Sequence, residues 1–141
     1  MSGNEPYPSD ALEPGVPAGP RILVVDDDRL VRDLACDLLQ EAGFPAEMAL
    51  GGGQALEMLR GAAPGHFQLV VLDLYMPGMS GTEALPEVLS ICPGIKVILM
   101  SALDADSDLK ALLRPGRIGF ICKTRFFASF IPKIREMLSA T

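Results

Sequence analysis

Positive charge is scarce in this chain: 12 lysines and arginines stand against 18 aspartates and glutamates over 141 residues, a formal net charge of −6. That deficit leaves no uniform positive field of the kind that neutralises nucleic-acid phosphates, so direct DNA binding is not expected. Cysteine is sparse as well. Cys36, Cys92 and Cys122 are odd in number, far apart and match no metal-ligand spacing, which points to reduced, buried thiols and a cytoplasmic setting. No apolar stretch approaches the length that spans a bilayer, and the N-terminus has neither a basic n-region nor an apolar h-region, so neither insertion nor export is expected. What the chain does have is apolar content: 49% hydrophobic residues, enough for one compact domain and too short a length for two.

Residues 1–20 carry Pro6, Pro8, Pro14, Pro17 and Pro20 among glycine, serine and acidic residues, a composition that reads as a disordered leader ahead of a domain spanning 21–141. From Arg21 onward, short apolar runs alternate with helical periodicity, the pattern of parallel βαβ units. Ile22–Val25 reads as a buried strand, with Leu30, Leu34, Leu38 and Leu39 following at helical spacing until Gly43. A weaker strand over Ala46–Leu50 and a glycine turn precede a short helix around Ala55–Leu59. Phe67–Leu72 reads as a strong strand, Leu69-Val70-Val71-Leu72 being continuously apolar as in the middle of a sheet covered on both faces. A helix over Thr82–Ser90 follows, with Pro86 expected near its first turn or shortening it. Lys96–Met100 is a fourth strand, Asp104–Arg114 a helix stopped by Pro115-Gly116, and Gly119–Cys122 a fifth strand. The last helix places Phe127, Phe130 or Ile131, Ile134, Met137 and Leu138 on one side. Right-handed crossovers then divide the helices between two faces, giving a doubly wound five-stranded parallel α/β sheet of flavodoxin-like topology.

In such sheets ligands bind beyond the carboxyl ends of the strands. The residues there are Asp26-Asp27-Asp28, Asp73, Ser101 and Lys123. Each has an ordinary reading of its own: an acidic run caps a helix, a serine starts a turn, a lysine is a solvated charge. Their convergence on one sheet edge is not ordinary, because it assembles carboxylates, a hydroxyl and an ammonium. Clustered carboxylates repel, and a divalent cation is the natural way to keep them ionised together. An all-oxygen ligand set favours Mg²⁺, which takes one or two carboxylates plus phosphate oxygens and leaves one carboxylate free as a nucleophile.

The segments ILVVDDDRLVRDL, LVVLDLYMPGMSGTEAL, VILMSA and GFICK, in that order, resemble the successive motifs of response-regulator receiver domains from two-component signal transduction. Asp73 falls 46 residues after Asp27, Ser101 28 after Asp73, and Lys123 22 after Ser101. The resemblance covers Arg21 to the C-terminus. It implies a phosphoprotein switch in a phosphorelay: Asp73 accepts a phosphoryl group, forming an aspartyl phosphate, from a sensor histidine kinase or a histidine phosphotransfer protein. It also implies that Asp27 binds Mg²⁺ directly, Asp26 largely through water, and Tyr75 through its backbone carbonyl. Lys123 and Ser101 would contact phosphoryl oxygens, and Phe120 occupies the aromatic switch position, turning inward on activation; an ordinary core phenylalanine is the competing reading. Eighteen residues follow Lys123, so output is expected through a downstream protein partner rather than an appended domain.

Two departures bear on this reading. The family's lysine is usually followed by proline, often through a cis peptide, whereas Thr124 follows Lys123 here. Tyr75 and Leu103 are bulky neighbours of the acceptor and the hydroxyl, which suggests a long-lived aspartyl phosphate. The alternative is a phosphorylation-independent, receiver-like interaction module. A phosphatase of the haloacid dehalogenase type is discounted, since Tyr75 stands where that family has a second aspartate. Phe126, Phe127 and Phe130 are available either for core packing or for a homodimer interface.

Overall fold

The computed structural model describes residues 19–140. The expected disordered leader lies outside the described residues except for its last two. Five strands, β1 (Ile22–Val25), β2 (Ala46–Ala49), β3 (Leu69–Asp73), β4 (Lys96–Ser101) and β5 (Ile118–Cys122), form one parallel sheet in the order β2-β1-β3-β4-β5. The helices are α1 (Arg29–Glu41), α2 (Gly52–Gly61), α3 (Gly81–Ile91), α4 (Ser107–Lys110) and α5 (Phe126–Ser139). Among the described residues, no helix is long and apolar enough to cross a membrane.

Strand alternation sorts the core into two layers. Leu23, Val25, Val70, Leu72, Val97 and Leu99 face α2, α3 and α4, while Ile22, Val24, Leu69, Val71, Ile98 and Met100 face α1 and α5. All five residues of β3 are buried because it lies inside the sheet, between β1 and β4, with helices on both faces. The far end of α5 is tied to the sheet by Lys96, whose Nζ donates to the Met137 carbonyl (2.7 Å) and to that of Ala140.

Several sequence expectations are corrected. Pro86 neither falls in the first turn of α3 nor shortens it: it is the sixth residue of an eleven-residue helix. Its side chain is exposed, so water can take the Thr82 carbonyl that lacks its helical donor. The start of α3 is set by a capping box between Ser80 and Glu83. The expected helix over Asp104–Arg114 is only four residues long. Asp106 caps it through Leu109 N–H, and the chain then turns so that Arg114 pairs antiparallel with Ile118, a backbone bridge that captures the residues expected to continue the helix. In α5 the buried stripe is Phe126, Phe130, Ile134 and Met137, while Phe127 is 74% exposed. The 3-10 turn Lys123–Arg125 runs straight into the helix and sets this register, with Phe126 stacked on Phe130 at 4.5 Å.

Candidate functional site

The carboxyl ends of β1, β3, β4 and β5 meet at one edge. The register pairs Asp73 with Met100 and Met100 with Ile121, so Ser101 stands one step, and Lys123 two steps, beyond the residue level with Asp73. Asp73 closes β3 and is 3% exposed; Asp26, immediately after β1, is fully buried. Asp27 is exposed at the mouth. Ligand oxygens of Asp26, Asp27 and Asp73 lie within 4.8 Å of one another. Asp28 leaves the cluster to cap α1, accepting from Leu30 N–H, so the acidic run divides between capping and the pocket.

Close packing holds this edge in shape. Gly81, the first residue of α3, lies so near the end of β3 that a Cβ there would come within 2.4 Å of the Asp73 carbonyl oxygen. The turn before it places Gly78 at φ +82°, which a residue with a side chain adopts only under strain. Glycine at both points lets the turn and helix seat against the acceptor.

Lys123 enters from the end of β5, its Nζ 2.9 Å from Asp26 Oδ2 and 3.3 Å from Asp73 Oδ2. Every peptide bond described is trans, and the lysine reaches both carboxylates with Thr124 behind it. The contact with Asp26 has the distance of an ion pair but not the angle of a hydrogen bond, so the buried Oδ2 has no hydrogen-bond donor. Its other oxygen accepts from Asp28 N–H at 2.9 Å. Burial, then the neighbouring Asp26 carboxylate, push the Asp73 pKa from 3.8 up to about 6 against the pull of Lys123 and of Tyr75 N–H. Burial opposes the charge on Lys123, yet the attraction of the two close carboxylates, Asp26 before Asp73, outweighs it and raises the ammonium above the ordinary lysine range.

Ser101 is buried, and its hydroxyl accepts from Leu103 N–H at 3.0 Å. The hydroxyl hydrogen therefore remains available to an anion in the pocket. Tyr75 stands two residues past Asp73, its N–H 3.4 Å from Asp73 Oδ1 and its ring exposed. Phe120 is half-buried on β5, packed against the layer facing α2, α3 and α4.

Sequence reasoning missed two features. Arg32 donates to the Asp26 backbone carbonyl at 2.8 Å, bracing β1's end; the signal was its place on α1, six residues after Asp26. The second is an apolar rim. Of the six exposed large hydrophobic residues among those described, Leu30, Leu50, Tyr75, Leu103 and Phe127 each follow a different strand closely, so five of the six lie toward the end of the sheet that carries the acidic pocket.

An electron-rich, oxygen-lined pocket with a buried carboxylate oxygen that accepts no hydrogen bond suits a divalent cation; an ammonium beside a buried carboxylate suits an incoming anion. Comparison with known proteins agrees with this geometry. Residues 22–134 match the family model described as response regulator receiver domain. The chemotaxis protein CheY of Thermotoga maritima is 32% identical over 106 residues, covering 74% of this chain and 86% of CheY. A protein-glutamate methylesterase/protein-glutamine glutaminase of Caulobacter vibrioides is 43% identical over 96 residues, 65% of this chain but 27% of the enzyme. The chain thus spans about a quarter of that relative's length. The Thermotoga maritima response regulator TrrA, solved in complex with Mg²⁺-BeF, superposes with a TM-score of 0.71 at 31% identity, covering 84% of this chain and 99% of TrrA. TrrA has also been solved in complex with the histidine kinase ThkA.

Proposed function

This chain belongs to the response regulator receiver domain family, and from that membership we propose that Asp73 is its phosphoacceptor, switched by a phosphohistidine donor in a two-component phosphorelay. The observation that carries this reading is the placement of Lys123 Nζ 3.3 Å from a buried Asp73 whose neighbours are two further carboxylates. Transfer breaks the N–P bond of the donor histidine, whose ring nitrogen keeps the electron pair, and forms an O–P bond at Asp73.

Asp26, Asp27 and Asp73, with the Tyr75 carbonyl, would hold Mg²⁺; the donor-less Asp26 Oδ2 and the all-oxygen set fit that ion. The ion would supply charge neutralisation, which keeps Asp73 ionised and draws the phosphoryl oxygens inward. Lys123 neutralises a phosphoryl oxygen from the β5 side, and Ser101 donates its free hydroxyl hydrogen to another. Because Ser101 also accepts from Leu103 N–H, its shift toward the phosphoryl group draws the β4–α4 loop with it. Phe120, one strand over, is the aromatic placed to follow. The switch signals through protein contacts.

The apolar rim supports a protein donor, a sensor histidine kinase or histidine phosphotransfer protein, since a small phosphodonor leaves most of it uncovered. The TrrA complex with ThkA supports the same partner class. The setting that suits this role is cytoplasmic. The test is intact mass after incubation with Mg²⁺ and a small phosphodonor under conditions that preserve acyl phosphate. Wild type gains one phosphoryl mass and Asp73→Asn gains none; no gain in wild type despite Mg²⁺ binding would instead mark a phosphorylation-independent interaction module.

A further inference from the structure

On the face opposite α1 and α5, a groove of about 560 Å³ runs between α3 and the segment that joins α4 to β5. α4 stops after four residues, and the chain folds back at Pro115-Gly116 to pair Arg114 with Ile118, so Leu112 and Arg114 lie along this groove rather than on a helix. The groove is lined by Leu85, Leu89, Leu112 and Ile118, with Arg114 and Arg117 beside them. Leu85 and Ile118 are buried in the core, while Leu89 and Leu112 are half-buried and present apolar surface to the groove.

The charge here runs against that of the whole molecule. In a chain of net charge −6, Lys110, Arg114 and Arg117 lie within eight positions, and none takes part in an ion pair among the described residues. The two guanidinium groups are held in place by carbonyls instead: Arg114 Nη1 donates to Ala111 and Leu113 (2.8 Å each), and Arg117 Nη2 donates to Pro93 (2.7 Å). Each arginine keeps further N–H donors free. Most nearby carboxylates are committed elsewhere: Glu87 pairs with Arg60 on α2, Glu83 closes the capping box, and Asp106 caps α4, while Asp108 lies on α4 and is in no ion pair with Arg114 or Arg117. Immobilised, unpaired cations beside an apolar trough are complementary to apolar side chains flanked by carboxylates.

We propose that this groove docks an acidic amphipathic helix of a partner protein, its apolar stripe against Leu89 and Leu112 and its carboxylates on Arg114 and Arg117. Docking here leaves the acidic pocket open and does not depend on Asp73 being the phosphoacceptor. The probe is a labelled helical peptide of about 18 residues with a leucine stripe flanked by glutamates, compared with the same peptide carrying lysines instead. Fluorescence anisotropy gives affinity on the unphosphorylated full chain, and amide chemical-shift changes locate the contact. The glutamate peptide should bind at least about tenfold more tightly than the lysine peptide, weaken as salt rises, and perturb amides of α3 and residues 110–118. The R114E/R117E variant, with an unchanged circular dichroism spectrum and melting temperature, should reverse that preference, and Leu112→Gln should weaken both peptides. Equal binding of the two peptides, indifference to the arginine reversal, or shifts confined to α5 would overturn the proposal. So would a concentration-dependent dimer that R114E/R117E dissociates, since the occupant would then be a second copy of the chain.

Discussion

Replacing Asp73 by asparagine should make the metal-free protein more stable, although it removes a buried charged residue that touches a lysine. The Asp73 side chain is 5% exposed, and its pKa is raised from 3.8 to about 6, burial and Asp26 outweighing Lys123. A shift of that size corresponds to about 3 kcal/mol of penalty on the ionised form at neutral pH; access of water at the mouth, where Asp27 is exposed, reduces this to about 1.5–3 kcal/mol. Lys123 keeps Asp26 at 2.9 Å in the variant, so its charge is not stranded. For a domain of this size the gain corresponds to a rise in melting temperature of about 5–15 °C. The sign with pH follows from linkage. A raised pKa favours the folded state fully below 3.8, and that benefit is lost as pH climbs through about 6. Thermal melts followed by circular dichroism in EDTA should therefore show the two proteins converging below about pH 4 and separating above about pH 6. Added Mg²⁺ should stabilise wild type more than the variant. An asparagine variant that melts below wild type at pH 7.5 in EDTA, or a gap unchanged from pH 4 to 8, would refute the electrostatic account of this pocket.

Other outcomes follow from individual residues. Tyr75→Asn should shorten the lifetime of the aspartyl phosphate by about three- to tenfold, measured by release of labelled phosphate, because the exposed ring beside the acceptor no longer obstructs water; equal lifetimes would remove Tyr75 from that role. Cys36 should resist iodoacetamide in folded protein at pH 8 and react on unfolding, since burial, then Asp33 and Asp37, raise its thiol from 9.0 to about 11. The same shift predicts that its contribution to stability is lost as pH rises from about 9 to about 11. Phe130→Ala should cost about 3–5 kcal/mol in urea unfolding, because Phe130 is fully buried and stacked on Phe126. Phe127→Ala, at a ring 74% exposed, should stay within about 0.5 kcal/mol.

The sheet and the charged site were legible because both are dictated by local pattern plus one topological rule. Continuous apolar runs such as Leu69–Leu72 can lie only inside a covered sheet, and the residues ending such strands must meet at one edge. Asp26, Asp73, Ser101 and Lys123 were found that way. What escaped was decided by interactions over a distance. The leucines at 109, 112 and 113 keep helical spacing, yet a backbone pair between Arg114 and Ile118 ends α4 early. Phe126 and Phe127 are equivalent by composition, and the 3-10 turn after Lys123 chooses between them. The apolar rim was invisible because a leucine after a strand reads as core until the fold shows nothing above it. Thr124 looked like a threat to the lysine's reach; the all-trans turn carries Nζ to both carboxylates regardless.

The tie between Lys96 and the end of α5 makes that helix a lever. Its tail is pinned where the ammonium of Lys96 gathers the carbonyls of Met137 and Ala140. Its head starts at Phe126, immediately after the turn containing Lys123. Fourteen residues make a rod about 20 Å long, so a shift of about 1 Å at the head is a rotation of about 3° around the pin rather than a slide along the sheet. On the proposal that Asp73 takes the phosphoryl group, the charge gained there would be read as a change of angle, largest at the exposed ring of Phe127 and smallest beside Lys96.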